Sequence, residues 1–166
     1  MNRTVLSMAS IAVLIAGTAI FFGLSGEKRI SLSAEQVANN STTFITVGSD
    51  KFVVEIADIP EEQAQGLSDR DYLPTGAGML FVFGEVRPVT FWMNKMRFPL
   101  DMIWISDGKV IGVERHVPTP KSGVNLDDLV RYQSTGSVDQ VLEVNAGEAD
   151  SIKVGDKVTI SSVNGI

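Results

Sequence analysis

The sequence predicts a compact α+β domain, mainly β, with a curled or barrel-like and mostly antiparallel sheet of seven or eight short strands and one or two short helices. Short apolar runs recur between about residue 44 and residue 160, turn residues separate them closely, and only one segment has a clear helical pattern. No strand–helix–strand rhythm runs along the chain, which argues against a Rossmann-type fold.

The first two strands form a predicted hairpin. Residues 44–47 and residues 51–57 alternate between apolar and polar side chains, and the turn composition of residues 48–50 separates them. In the second segment Phe52 and Val54 share one face, so we expect a half-buried strand.

A short helix is predicted at residues 60–67. Asp58 is the expected N-cap, Pro60 lies in the first turn, and two glutamates follow at the positive end of the helix dipole. Gly66 is the expected end of the helix.

The remaining strands follow from apolar runs and turns. Runs without polar alternation indicate central strands, and a turn of the Asp-Gly type predicts a second hairpin. The predicted central strands are residues 79–83 and 102–105, and a further strand lies at 89–93. The Asp-Gly turn is predicted at residues 106–109 and a loop at residues 117–128. The last predicted strands are residues 110–114, 140–144 and 158–160.

The N-terminal part has a different composition, which divides the chain into residues 1–29, a polar linker at 30–43 and a globular domain at 44–162. Residues 5–24 contain no charge, and their 20 residues are long enough to cross a hydrocarbon core of about 30 Å. An uncleaved membrane anchor is one interpretation, and a cleaved signal peptide, with its usual apolar region of about 7–15 residues, is the other. Either one exports the domain, which is then membrane-tethered or is secreted or periplasmic.

Composition excludes several classes of function. The chain of 166 residues has a formal charge of −6, no cysteine and one histidine. Zinc sites of the usual kind and disulfides are therefore excluded, and we predict no metal and no cofactor. The acidity argues against nucleic acid as a partner and against adsorption on anionic lipid, so we expect contact with the membrane only through residues 5–24.

Four sequence blocks resemble the domain of unknown function 192 family of bacteria and archaea. The blocks are QGLSDR at residues 65–70, GMLFVF at 78–83, FWMN with PLDMIWI between 91 and 105, and VLEVNAG at 141–147 followed by Gly155-Asp156. The resemblance implies a β-rich α+β domain, often exported or tethered to a membrane, and it carries no established activity. The family often has Lys-Asn and then threonine where this chain has Asn94-Lys95-Met96, and often a cysteine where this chain has Pro118-Thr119-Pro120.

Two carboxylates are candidates for chemistry. Asp101 enters an apolar strand, where we expect it to bind backbone N–H groups or an arginine, with general acid or base catalysis as the alternative. Glu143 interrupts another apolar strand, and because Leu142 and Val144 would face the core, we expect Glu143 to face solvent. A hydrolase that uses Asp101 with Glu143 or Arg70 is the resulting alternative function.

Candidate binding residues come from two of the family blocks. Arg70 is suited to an anionic ligand or to an ion pair within the chain. The aromatic and methionine residues between 91 and 104 cannot all enter one core, because neighbours on a strand face opposite sides. His116, the single histidine, is expected at a strand end. The predicted binding residues are Arg70, Trp92, Asn94, Met96 and Phe98.

The function predicted from the sequence is that of a membrane-tethered, extracytoplasmic domain, a non-catalytic binding or accessory module of the cell envelope. Its expected partner is an unknown ligand or an envelope protein. Convergence of Arg70, Asp101 and Glu143 in one cavity would instead favour the hydrolase.

Overall fold

The computed structural model describes residues 41–164. Residues 5–24, the predicted membrane segment, lie outside this part, as does most of the predicted linker. Within residues 41–164 there is no helix with the length and hydropathy needed to cross a membrane. The first described strand begins at Ser41, three residues before the predicted strand at 44–47.

Nine strands and one α-helix make up most of the described chain, and seven of the strands form one mixed sheet. The elements are β1 (Ser41–Val47), β2 (Asp50–Ala57), α1 (Pro60–Gln65), β3 (Ala77–Arg87), β4 (Thr90–Phe91), β5 (Leu100–Ser106), β6 (Lys109–Val117), a 3₁₀ turn (Leu126–Asp128), β7 (Tyr132–Gln133), β8 (Val138–Asn145) and β9 (Val158–Asn164). The order in the large sheet is β6-β5-β8-β3-β2-β1-β9, with only the pair β2 and β3 parallel, while β4 and β7 form a separate ribbon.

The large sheet curls until its two edges meet at one end. The N–H of Val110 donates to the carbonyl of Asp156 at 3.0 Å, and the N–H of Gly155 donates to the carbonyl of Val110 at 2.8 Å. The single bridge between Lys109 and Lys157 is not extended into a ladder, so the sheet is not closed into a barrel. The predicted α+β, mainly β class is confirmed.

The central strands are buried on both faces, because the sheet curls around one core and other segments cover its opposite face. An inner core fills the concave side, and an outer core lies between the opposite face and the segments that cover it. The inner core includes Ile45, Val47, Phe52, Leu80, Ile103, Leu142, Val144 and Ile152. The outer core includes Leu67, Met79, Phe81, Met93, Met96, Met102, Trp104 and Val141.

Two local predictions are confirmed by the backbone. In the hairpin between β5 and β6, Asp107 and Gly108 have φ angles of 49° and 65°, as a type I′ turn requires. The helix α1 ends at Gly66, with φ 50°. Its N-cap, however, is Ile59 rather than Asp58, and no side chain caps the first turn.

The predicted strand at residues 89–93 is mostly wrong. Only Thr90–Phe91 is extended and paired, and its partner is Tyr132–Gln133 rather than a strand of the large sheet. Val89 and Met93 are buried in the outer core, so their apolar character reflects a segment that covers the sheet. Because both strands of this ribbon have two residues, no periodicity in the sequence could reveal β7.

Candidate functional site

Asp101 and Glu143 are the two buried acidic side chains in the described part of the chain. In the antiparallel register of β5 and β8, Asp101 lies opposite Val144 and Met102 lies opposite Glu143. Since adjacent residues of a strand point to opposite faces, the two carboxyls lie on different sides of the sheet. The predicted dyad of Asp101 and Glu143 is therefore not assembled.

Asp101 is a structural carboxylate held by backbone groups. Its Oδ1 accepts the N–H of His116 at 2.7 Å, and its Oδ2 accepts the N–H groups of Gly147 and Ala149 at 2.8 and 2.9 Å. The register shift between β5 and β6 leaves Arg115 and His116 opposite Asp101, with His116 at φ 53°. Asp101 thus fixes a β-bulge and the loop after β8, which confirms the expectation that it binds backbone N–H groups.

Glu143 is buried, so the expectation that it faces solvent is wrong. Its side chain is 5% exposed because β8 lies between β3 and β5, with Met79 and Met102 directly opposite it. No hydrogen bond to its carboxyl and no ion pair is present among residues 41–164. Burial raises the pKa of Glu143 to about 8, so the carboxyl is mostly protonated at neutral pH.

Glu143 lies at a cleft of about 210 Å³ between α1 and the segment that contains β4. Its apolar walls come from Leu67, Phe81, Phe91, Trp92 and Met96. Glutamines, Ser68 and Thr90 add neutral polar groups, and among the described residues that line the cleft Glu143 alone is ionisable. No group of three acidic or histidine side chains suited to a metal occurs within residues 41–164.

Hydrogen bonds between backbone and side chains hold the cleft walls in place. The amide of Gln63 donates to the carbonyls of Val82 at 2.8 Å and Ala57 at 3.3 Å, which fixes α1 on the sheet. The hydroxyl of Ser68 donates to the carbonyl of Asn94 at 2.9 Å and joins the two walls. The cleft is therefore largely pre-formed, as small-molecule sites usually are.

Glycine is required where α1 turns into the cleft. Gly66 has φ 50°, and a Cβ atom there would lie 3.3 Å from the ring of Phe81. Any other residue would strain the turn and press on an aromatic wall.

Aromatic contacts set the orientation of the rings. Phe81 and Phe91 meet edge to face at 4.9 Å between centroids, and Phe91 meets Trp104 at 5.7 Å. Trp92 remains 43% exposed, with the guanidinium of Arg131 4.6 Å from its ring centroid. The cleft thus has a rigid aromatic interior and one exposed ring.

The predicted binding residues divide between the cleft and other roles. Trp92 and Met96 line the cleft, whereas Asn94 contributes a backbone carbonyl to its support and Phe98 packs on the outer core. Arg70, by contrast, is engaged elsewhere.

Arg70 forms two hydrogen bonds with Glu55, at 2.5 and 2.8 Å. The bonded guanidinium holds the pKa of Glu55 below its usual value, mainly through these hydrogen bonds. Of the two predicted roles of Arg70, the structure therefore shows the ion pair within the chain. Arg70 does not line the cleft with Glu143.

The sequence did not identify Phe81 and Phe91 as residues of the cleft, and it predicted that Glu143 faces solvent, whereas Glu143 is buried. The sequence does contain a signal for the burial of Glu143. Val141, which lies on the same face of the strand as Glu143, is apolar, as are Leu142 and Val144 on the opposite face. A run that is apolar at both alternations indicates a strand covered on both faces, and an acid within such a run is buried.

Comparison with known proteins gives a family without an established activity. The model of the domain of unknown function 192 family, described as "Uncharacterized ACR", matches residues 43–160. No curated protein matches the chain.

Two solved structures are similar over most of their length. A protein of unknown function from Novosphingobium aromaticivorans is 32% identical, with 70% of this chain and 83% of that chain covered and a TM-score of 0.63. A protein from Sinorhizobium meliloti, whose description proposes a transcription regulator, is 31% identical, with 72% and 92% covered and a TM-score of 0.62. The family match and these two likenesses establish that this chain belongs to the domain of unknown function 192 family.

Proposed function

We propose that the domain is a non-catalytic binding module that takes one small ligand into the cleft at Glu143. The buried carboxyl of Glu143, without a partner in the described chain, is the observation that carries the proposal. The apolar surroundings of this carboxyl disfavour its charged form, and no hydrogen bond or basic group in the described chain offsets that effect. A group that destabilises the fold and opens into a pre-formed cleft is typical of a functional site.

Binding fits the cleft better than hydrolysis. Glycosidases, for example, place two carboxyl groups about 5–10 Å apart across the bond that is cleaved. In the described cleft lining Glu143 has no second titratable group beside it, while Asp101 lies on the other face of the sheet and Arg70 is bonded to Glu55. A single neutral acid among aromatic rings favours recognition of a ligand.

Blocking the cleft tests this proposal. In a thermal-shift screen of ring-sized fragments, we expect some to raise the Tm of the wild type, because they bind only the folded state. Ala64→Trp, at the cleft wall, should abolish those shifts, and Glu61→Trp, on the same helix but outside the cleft lining, should keep them. Fragments that stabilise all three proteins equally would contradict the proposal.

We propose further that residues 5–24 tether the domain to the membrane from outside the cytoplasm. The uncharged stretch supports this, because hydrophobic insertion is not screened by salt. The protein is expected to stay in the membrane fraction through washes with high salt and with carbonate. Full-length protein in the soluble fraction would contradict the tether, while a soluble product shortened by about 25 residues would identify a cleaved signal.

Nucleic acid is not proposed as a partner, despite the description of the Sinorhizobium protein. The described residues carry 11 basic and 18 acidic side chains. DNA-binding domains usually present a basic face, so this balance disfavours such a role.

A further inference from the structure

We propose that the ligand of the cleft is a small organic cation, an ammonium or amidinium group on a body of about one ring, which pairs with the ionised carboxylate of Glu143. This inference rests on the proposed function and names the chemical class of the ligand. On binding, the O–H bond of Glu143 breaks, its proton passes to solvent, and the carboxylate accepts hydrogen bonds from the cation.

The charges around the cleft favour a cation. No Lys, Arg or His lines it among the described residues, so the chain supplies no counter-ion for Glu143 there. The nearby basic groups are engaged, since Arg70 is bonded to Glu55 and Arg131 stacks on Trp92. An anionic ligand would meet an acid without a basic partner, whereas a cation would bring the missing charge.

Within residues 41–164, the cross-strand neighbours of Glu143 and the other residues that line its cleft are all uncharged. Met79 of β3 and Met102 of β5 are its cross-strand neighbours. The turn after α1 contributes Gly66 and Leu67, and β4 contributes Phe91, to the cleft that Glu143 enters. Protonation of Glu143 is therefore set by burial and by whatever occupies the cleft.

The aromatic walls suit the same ligand. The faces of Phe and Trp rings attract cations within about 6 Å, and Trp92 already holds one guanidinium at 4.6 Å. The apolar rings of Phe81 and Phe91 can contact the body of the ligand while its head reaches Glu143. One cleft thus offers both an anion and an aromatic surface.

The volume limits the size of the ligand. An apolar cavity of about 150 Å³ is large enough for benzene, and this cleft has about 210 Å³. One ring with a short linker and a nitrogen head fits that volume, and the rest of any larger ligand would lie outside the cleft.

The pairing predicts a specific dependence on pH. With the pKa of Glu143 near 8 in the empty cleft, about 1 in 100 molecules is ionised at pH 6 and about half are ionised at pH 8. The apparent affinity for a cation should therefore rise roughly 50-fold over that interval, because only the ionised form is competent. A neutral ligand that accepts the proton of Glu143 should instead lose at most about twofold.

Benzylamine and benzyl alcohol are the matched probes, since they share size and ring and differ in charge. Binding to the full-length chain in a nonionic detergent is measured by calorimetry at pH 6, 7 and 8. We expect the amine to bind with rising affinity and with release of protons to the buffer, and the alcohol to show no rise. Glu143→Gln, which cannot ionise, should bind the amine weakly and without dependence on pH.

The outcomes separate this inference from the proposed function. If the alcohol binds in the cleft and the amine binds no better at pH 8 than at pH 6, the ligand is not a cation although the cleft still binds. If neither probe binds the wild type more tightly than it binds Ala64→Trp, the inference and cleft binding of these one-ring probes both fail. The pH series on the wild type decides the matter even if the Gln variant does not fold.

Discussion

The free energy of unfolding is expected to fall by about 3–4 kcal/mol between pH 5 and pH 8 through Glu143 alone. In the unfolded chain this carboxyl has a pKa near 4.5, and burial raises the folded value to about 8. Between these values the folded state keeps a proton that the unfolded state releases, so stability falls as pH rises. The contribution is complete below pH 4.5 and is lost above pH 8, at about 1.4 kcal/mol per pH unit.

Urea unfolding of residues 41–164 at pH 5, 6, 7 and 8 measures this effect, with Glu143→Gln as the matched variant. Gln keeps the size of the side chain and stays neutral in both states, so its stability should lack the fall that Glu143 causes. The difference between the two proteins should grow steadily in favour of the variant toward pH 8. Parallel curves for wild type and variant would show that Glu143 titrates normally in the folded state.

Asp101→Asn is expected to lower the free energy of unfolding by about 2–4 kcal/mol at neutral pH. The carboxylate accepts three backbone N–H groups, two of them on Oδ2. Asn keeps one acceptor oxygen and turns an N–H₂ group toward the other donors, which leaves buried N–H groups without a partner.

Comparison with Asp58→Asn controls for the change of charge, because Asp58 is exposed and lies in the same domain, between β2 and α1. The Asp58 variant should unfold within about 0.5 kcal/mol of the wild type. An Asp101 variant as stable as the Asp58 variant would contradict the structural role of this carboxylate.

The two buried carboxyls have opposite effects on the fold. Asp101 stabilises it because every oxygen is bonded, and Glu143 destabilises it above pH 5 because its carboxyl has no partner in the described chain. Removing the charge should therefore destabilise the protein at one position and stabilise it at the other. The proposed binding role accounts for the presence of an acid at the destabilising position.

Local rules predicted the elements with local causes. The alternation in β2 and the Asp107-Gly108 turn depend on neighbours in sequence, and both are correct. The end of α1 at Gly66 has the same kind of cause. The burial of Glu143 depends instead on strands that come from distant parts of the chain, β3 and β5, so counting alternate residues within β8 alone placed it in solvent.

The cleft was predictable only in part for a similar reason. Trp92 and Met96 were predicted because an aromatic and methionine cluster exceeded what one core face could hold. The opposite wall comes from α1 and the turn after it, which the bond from Ser68 to Asn94 brings into contact across 26 residues of sequence. No pattern in either segment specifies that contact.

The most direct test of the account is the titration of the Glu143 carboxyl itself, followed by the chemical shift of its ¹³Cδ atom. In the empty protein the midpoint is expected near pH 8, and saturating benzylamine should move it down by one pH unit or more as the carboxylate gains a partner. A midpoint between pH 4 and pH 5 in the empty protein would mean that Glu143 is already solvated or paired, and would contradict the central claim that it is the unpartnered group of a binding cleft.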